Sequence, residues 1–166
     1  MTRIAVVDID GVIADVRHRL HFVKGSPRDW DGFFDAAAFD GVLSQGRAWI
    51  DEALASDLGI VYLTGRPERC RAATQDWLAE HGFPTATLLM RGDRDRRPAR
   101  LLKVQALVEL QRSMEVVSFL DDDPVVVEDA CRAGFPAVHA AWMSSAIEPA
   151  DDIQVLGFVQ EELGRT

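Results

Sequence analysis

A chain of 166 residues is a natural size for one domain with a full core, and 48% hydrophobic with 27% charged residues is ordinary for a globular protein. A net charge of −9 argues against tight non-specific binding to nucleic acid, which needs a basic surface, while leaving room for a local basic patch. Cys70 and Cys131 form neither a disulfide framework nor a zinc signature, no signal peptide precedes Asp8, and no apolar run approaches the ~20 residues of a membrane-spanning helix, so a cytoplasmic protein without membrane association is expected.

The first apolar run, Ile4–Val7, predicts a buried strand that ends in Asp8-Ile9-Asp10-Gly11-Val12. The strand's end is the rim at which open α/β folds bind ligands. Burying two carboxylates there without partners is expensive, so the pair calls for a cation, a proton or a nucleophile's task. The stretch Asp15–Gly41 breaks the rhythm of strands and helices and reads as a loop plus a short helix, a small lid. Trp30, Phe33 and Phe34 are expected to pack that helix onto the domain, with stacking on a base as the alternative. His18 and His21 have no ligand cluster around them and read as surface or lid residues.

A helical period over 43–56 leads to a second strand, Ile60–Leu63, followed by Thr64-Gly65-Arg66. Pro67 is expected at the first position of a helix running to His81, with Gly82 just past its end. That placement would aim backbone N–H groups after Thr64 at an anion; an ordinary cap for Thr64 and a solvated charge for Arg66 are the plain alternatives. A third strand, Thr87–Met90, precedes a loop with Arg91, Arg94, Arg96, Arg97 and Arg100 against Asp93 and Asp95. The loop either contacts a polyanionic substrate or is solvated and paired with its own aspartates.

Pro98 opens a helix to Arg112. On its wheel Gln105, Glu109 and Arg112 form a polar arc, whereas Lys103 shares the apolar stripe with Leu107 and Leu110 and is expected to point into the site rather than to snorkel. A fourth strand, Val116–Leu120, ends in Asp121-Asp122-Asp123, and Asp123 before Pro124 fits an N-cap. A helix to Ala133, Gly134 beyond it, a fifth strand Ala137–His139 and a closing helix over 150–163 complete the chain. Both cysteines are expected to be buried small residues.

Alternating strands and helices imply an α/β fold, a doubly wound parallel sheet covered on both faces, in a single domain over 1–166 with 15–41 as a small cap or lid. Parallel strands share one C-terminal edge, so Asp8, Asp10, Thr64, Asp121 and Asp122 would gather at a single pole. Their mutual repulsion is relieved by a hard divalent cation, with Mg²⁺ first in line. A carboxylate left to attack, another to shuttle a proton, a hydroxyl and a lysine together describe phosphoryl transfer through a carboxylate nucleophile.

Asp-x-Asp-Gly-Val, Thr-Gly-Arg, a lysine and a strand ending in Asp-Asp resemble the four motifs of the haloacid dehalogenase superfamily, over residues 4–139. The resemblance implies strand order 3-2-1-4-5 and Mg²⁺-dependent phosphohydrolase activity. Carried over, Asp8 is the nucleophile that becomes an aspartyl-phosphate, and Asp10 is the acid/base. Thr64, Gly65 and Lys103 hold the phosphoryl group, and Asp8, the backbone carbonyl of Asp10, Asp121 and Asp122 form the metal site. Thr-Gly-Arg-Pro-Glu-Arg, the Leu-Leu-Met-Arg run from Leu88 and the Arg-rich loop before the lysine are similar to the 3′-phosphatase domain of phage-type polynucleotide kinases. That likeness makes Arg19 and Arg66 candidates for phosphate or substrate binding and a nucleic-acid 3′-phosphate end the first choice of substrate. Relatives often carry an acidic residue shortly before the lysine, where this chain has Ala99-Arg100. The alternatives are a phosphatase of nucleotides or other small molecules and a catalytically silent phosphate-binding homologue. A receiver domain would place its acidic pair first and its phosphorylated aspartate on a middle strand, the reverse of the order here, and no Gly-x-x-x-x-Gly-Lys-[Ser/Thr] loop for an adjoining kinase occurs.

Overall fold

The computed structural model describes residues 1–143. In chain order its elements are β1 (Thr2–Val7), β2 (Ala14–Asp15), α1 (His21–Lys24), α2 (Trp30–Asp35), β3 (Gly41–Val42), α3 (Ser44–Ala55), β4 (Gly59–Pro67), α4 (Arg71–Glu80), β5 (Thr87–Arg91), α5 (Ala99–Leu110), β6 (Met114–Asp121), α6 (Pro124–Arg132) and β7 (Ala137–His139). The closing helix expected over 150–163 lies outside the described residues.

Five strands form one sheet in the order β5-β4-β1-β6-β7, with every neighbouring pair parallel. Counted along the sheet's own strands this is the 3-2-1-4-5 order. The strand β1 shows why both faces must be covered. Side chains alternate across a strand: Ala5 and Val7 join a core with Ile60, Tyr62, Trp77 and Leu78 on one face, while Ile4 and Val6 join Val61, Leu107, Phe119 and Val126 on the other. Helices α3 and α4 cover the first face and α5 and α6 the second. Among the described residues no helix is long and apolar enough to cross a membrane.

The insertion is bracketed by a two-stranded antiparallel ribbon in which Ala14 pairs with Val42 and Asp15 with Gly41. It has a small core of its own, with Val16, Leu20, Val23, Phe33 and Phe34 packed against Leu43 and Met143. Phe33 and Phe34 are buried, as expected of residues that seat a short helix.

Two prolines sit differently from expectation. Pro67 is extended (φ −68°, ψ 152°) and belongs to the end of β4; a short 3₁₀ turn, Glu68–Cys70, intervenes before α4. A proline φ suits extended backbone as well as a helix start, and proline disfavours helical geometry at Arg66 before it, so the chain runs on and pairs Pro67 with Arg91. Pro98 caps α5 rather than opening it. Pro124 does occupy a first helical position, with Asp123 Oδ1 accepting from Val125 N at 2.8 Å. Cys131 is exposed and Cys70 only partly buried, which corrects the expectation for both. On α6 the buried stripe is Val126 and Ala130, one turn apart, and Cys131 falls beside it.

Helix α3 crosses the turn after β1 at Gly46, where a Cβ would lie 2.0 Å from the Val12 carbonyl oxygen. Alanine in place of a helical glycine is ordinarily stabilising by ~1 kcal/mol. Here the close approach reverses the sign, and Gly46→Ala is expected to lower stability by ~1–3 kcal/mol in urea denaturation. A stabilised variant would show that α3 can back away at no cost.

Candidate active site

The C-terminal end of β1 is held to β6 by Asp8 N, which donates to Leu120 O at 2.9 Å. Beyond it the chain makes a tight turn in which Ile13 N and Ala14 N both donate to Ile9 O, at 3.0 and 2.9 Å. Asp8 is buried, and its Oδ1 accepts from Ile9 N at 2.7 Å. Its Oδ2 accepts from Lys103 Nζ at 2.7 Å, and the same ammonium donates to Asp121 Oδ2 at 2.7 Å. Lys103 is only 1% exposed, so its position on the apolar stripe of α5 carries the ammonium into the pole of the sheet.

Carboxylate oxygens of Asp8, Asp121 and Asp122 lie within 4.8 Å of one another. One ammonium among three carboxylates leaves an excess of negative charge, and a set of hard oxygen donors at this spacing fits Mg²⁺. Burial pushes the Asp8 carboxyl up to about 7, with Asp121 and Asp10 adding to the rise and Lys103 opposing it. Burial lowers the proton affinity of Lys103, but Asp121 and Asp8 outweigh it and keep the ammonium charged beyond the usual lysine range.

The turn also fixes Asp122. Gly11 has φ +74°, and a Cβ there would lie 2.2 Å from Asp122 Oδ2. Gly11→Ala therefore strains the turn and displaces that carboxylate together. Divalent-cation affinity is expected to fall ~10–100-fold, read by metal titration. An unchanged titration would show that the carboxylate has no part in holding a cation.

Asp10 belongs to a different cluster. Its Oδ1 accepts from Arg19 Nη2 at 2.6 Å and from Arg66 Nη2 and Nε at 2.6 and 3.0 Å. Both guanidiniums also reach Asp40, whose Oδ2 is 2.7 Å from Arg19 Nη2 and 3.0 Å from Arg66 Nη2. His18 Nε2 stands 2.8 Å from Asp40 Oδ1, and Arg66 Nη1 donates to Thr74 Oγ1 at 3.3 Å. Arg19, Arg66 and Asp40 are all buried, so two cations and two anions neutralise one another out of water. Burial works to raise Asp10, but Arg19 and Arg66 overcome it and hold the carboxyl well below its usual range. Burial wins at Asp40 and raises its carboxyl despite Arg19.

Thr64 is fully buried at the end of β4, and its Oγ1 accepts from Arg66 N at 3.2 Å, leaving the hydroxyl proton to donate. The segment Thr64–Arg66 is extended rather than at a helix start, which corrects the expected helix-terminal anion site. Gly65 O accepts from Arg91 Nε at 3.3 Å. Within the arginine loop, Arg91 is buried, Arg97 pairs with Asp95 at 2.5 Å and Arg100 with Asp129 at 3.1 Å, whereas Arg94 and Arg96 are exposed.

The structure thus brings Asp8, Lys103, Asp121 and Asp122 into one cluster and Asp10, Arg19 and Arg66 into a second, two residues away along the chain, with Thr64 and Gly65 on the next strand. The Asp10 side chain stands with the arginines and not in the carboxylate trio. Asp40 was not singled out from the sequence, where a lone aspartate at the end of the insertion carries no motif. A cavity of about 490 Å³ between β5 and α5 is lined by none of these residues.

Residues 2–141 match the sequence family described as the polynucleotide kinase PNKP phosphatase domain. No curated protein sequence matches the chain. Among solved structures, a chain of the Pnkp1/Rnl/Hen1 RNA repair complex superposes with TM-score 0.71 at 23% identity, covering 84% of this chain and 42% of that one. The class C acid phosphatase from Bacillus anthracis with tungstate bound superposes with TM-score 0.60 at 20% identity, covering 87% and 62%. A haloacid dehalogenase-like hydrolase, SP0104 from Streptococcus pneumoniae, superposes with TM-score 0.53 at 14% identity, covering 96% and 99%. At these identities the superpositions show the fold, and the chain spans less than half the length of the first of these proteins.

Proposed function

Since the chain belongs to the family of the polynucleotide kinase PNKP phosphatase domain, within the haloacid dehalogenase superfamily, we propose that it hydrolyses phosphomonoesters through an aspartyl-phosphate on Asp8. The observation that carries this reading is Asp8 at the end of β1 with Lys103 Nζ at 2.7 Å and the Asp10–arginine cluster two residues on. The Thr64 hydroxyl and Lys103 hold the phosphoryl oxygens. A carboxylate oxygen of Asp8 attacks phosphorus, the ester P–O bond breaks, and the leaving oxygen takes a proton from Asp10. Asp10 then takes a proton from the water that attacks the phospho-Asp8 phosphorus and releases phosphate. A Mg²⁺ held by Asp8, Asp121 and Asp122, with the Asp10 carbonyl, would neutralise charge on the transferring group.

The low proton affinity of Asp10 leaves it ionised in the free protein, without the proton a general acid needs. Its cause is the two guanidiniums, and an arriving phosphate dianion competes for them. Each hydrogen bond that Arg19 or Arg66 moves to the phosphate leaves the upward push of burial on Asp10 less opposed, so with substrate in place Asp10 takes up the proton that it then gives to the leaving oxygen. The insertion over 15–41 supplies Arg19 and Asp40 to this arrangement and acts as the lid of a single domain.

A phosphorylated nucleic-acid 3′ end is the proposed substrate, supported by the family and by the RNA repair complex among the structural neighbours. The acidity of the chain supports the second reading, a phosphatase of nucleotides or other small esters. Phosphate release with Mg²⁺ from 3′- and 5′-phosphorylated oligonucleotides, mononucleotides and an aryl phosphate separates the two. Preference for the 3′ end supports end-healing, and preference for small esters replaces it. Replacing Arg94 and Arg96 together by alanine is expected to lower kcat/KM on the oligonucleotide roughly five- to tenfold more than on the aryl phosphate at low salt. Equal effects on both would remove the loop from substrate binding.

A further inference from the structure

The carboxylates at the end of β6 are held from outside their own strand. Parallel pairing sets Asp121 of β6 level with His139, the last residue of β7. Ala140 N donates to Asp121 O at 2.8 Å, so the end of β7 follows β6 to the rim of the sheet. From that position His139 Nε2 lies 3.0 Å from Asp122 O, one residue past the end of β6. A carbonyl oxygen can only accept, so Nε2 carries the proton and donates.

That carbonyl belongs to the peptide joining Asp122 to Asp123, and the N–H of the same peptide donates to Asp121 Oδ1 at 3.0 Å. The unit is planar, so fixing the direction of its C=O fixes the direction of its N–H. Donation to the C=O also polarises the peptide and strengthens the bond its N–H makes. With Oδ1 on Asp123 N and Oδ2 on Lys103 Nζ at 2.7 Å, the plane of the Asp121 carboxylate is set. The Asp122 carboxylate packs against Gly11, and a rotation of its backbone would carry it away from that seat. His139 therefore acts on two of the three clustered carboxylates without touching either one. Its own side chain is exposed and adds little to the core.

We propose that His139 is a positioning residue for the cation site: its Nε2–H holds the Asp122–Asp123 peptide in the orientation that aims Asp121 and Asp122 at a divalent cation. The proposal rests on the reading of Asp8, Asp121 and Asp122 as the place where Mg²⁺ binds. It gives the edge strand β7 a task at the site, although no residue of β7 belongs to the carboxylate cluster.

The test is cation binding without turnover, read by calorimetric titration of Mg²⁺ and of Mn²⁺ into the full chain at one fixed pH. His139→Ala is expected to weaken affinity about tenfold or more, as loss of a group that orients metal ligands does. His139→Gln, whose amide Nε2 can donate over a similar reach, should recover most of that loss. His139→Phe keeps a ring without the donor and should bind as weakly as alanine, which covers the case in which the alanine variant does not fold. Urea midpoints should stay close to that of the unaltered protein in all three, since an exposed side chain is replaced. Unchanged affinity in the alanine and phenylalanine variants overturns the assignment, and so does a glutamine variant no better than they are. A loss of affinity that tracks a loss of stability overturns it as well, because the effect would then be on the fold. Absence of cation binding by the unaltered protein overturns the metal site and this assignment together. Phosphate release by the unaltered enzyme tests hydrolysis through Asp8 separately, and its failure leaves the cation affinities to decide His139.

Discussion

Asp8→Asn is expected to abolish phosphate release, by about four orders of magnitude or more, in a protein that remains folded. The amide of asparagine is a poor nucleophile and cannot form an acyl-phosphate, so the loss is that of the reacting atom and not of a contact. Folding survives because the change removes a buried charge and adds none. The Asp8 carboxyl is nearly inaccessible, with Asp121 as a second anion beside it, and Lys103 retains Asp121 at 2.7 Å as its partner in the variant. Stability against pH gives an independent check. With no divalent cation added, the folded protein holds the Asp8 proton up to about 7, whereas the unfolded chain releases it near 3.8. Between those values the native state binds more protons than the unfolded one, so stability falls as pH rises through the window. The Asp8→Asn variant lacks that component and should show a flatter profile in denaturant titrations from pH 4 to 7. Wild-type turnover in the variant would remove Asp8 as nucleophile.

Asp40→Ala is expected to cost ~3–5 kcal/mol of stability, a large share of the ~5–15 kcal/mol typical of a domain. Arg19 and Arg66 are 0% and 1% exposed, and Asp40 is one of the two carboxylates that neutralise them. Removing it leaves a guanidinium charge uncompensated, takes the partner from His18 Nε2, and turns both arginines wholly onto Asp10. Urea denaturation reads the loss. Asp40→Asn keeps an acceptor oxygen in place and should lose less. A cost below ~1 kcal/mol for the alanine variant would mean that water reaches the arginines readily, and the cluster would then be a surface feature of little weight.

What could be read from the residues, and what could not, follows from how far each signal reaches along the chain. The sheet was legible because strand alternation and helical period are local: Ile4 and Val6 against Ala5 and Val7 already announce two covered faces. Lys103 was legible for the same reason, since a charge on the stripe of Leu107 stands out on one helix. The end of β4 was not, because the backbone angles of Pro67 serve a helix start and an extended chain equally, and only pairing with Arg91 decides between them. Asp40 was invisible because its meaning lies in two arginines 21 and 26 residues away in sequence. The arginine loop misleads in a similar way. Counted in sequence it is an excess of positive charge, but in the fold Arg91 turns inward, and Arg97 and Arg100 are taken up by aspartates.

Asp40 is also tied through its backbone, whose carbonyl accepts from the indole of Trp77 on α4 at 2.8 Å. One residue therefore joins the exit of the insertion to the helix layer and, through its carboxylate, to the groups that set Asp10. Local opening of the insertion, the kind of partial unfolding that precedes loss of a sheet, would release Arg19 and Asp40 from Asp10 and Arg66 in a single event. If Asp10 acts as proposed, catalytic competence and native order in the insertion are one property, and a molecule whose sheet is intact but whose insertion has opened is expected to be inactive.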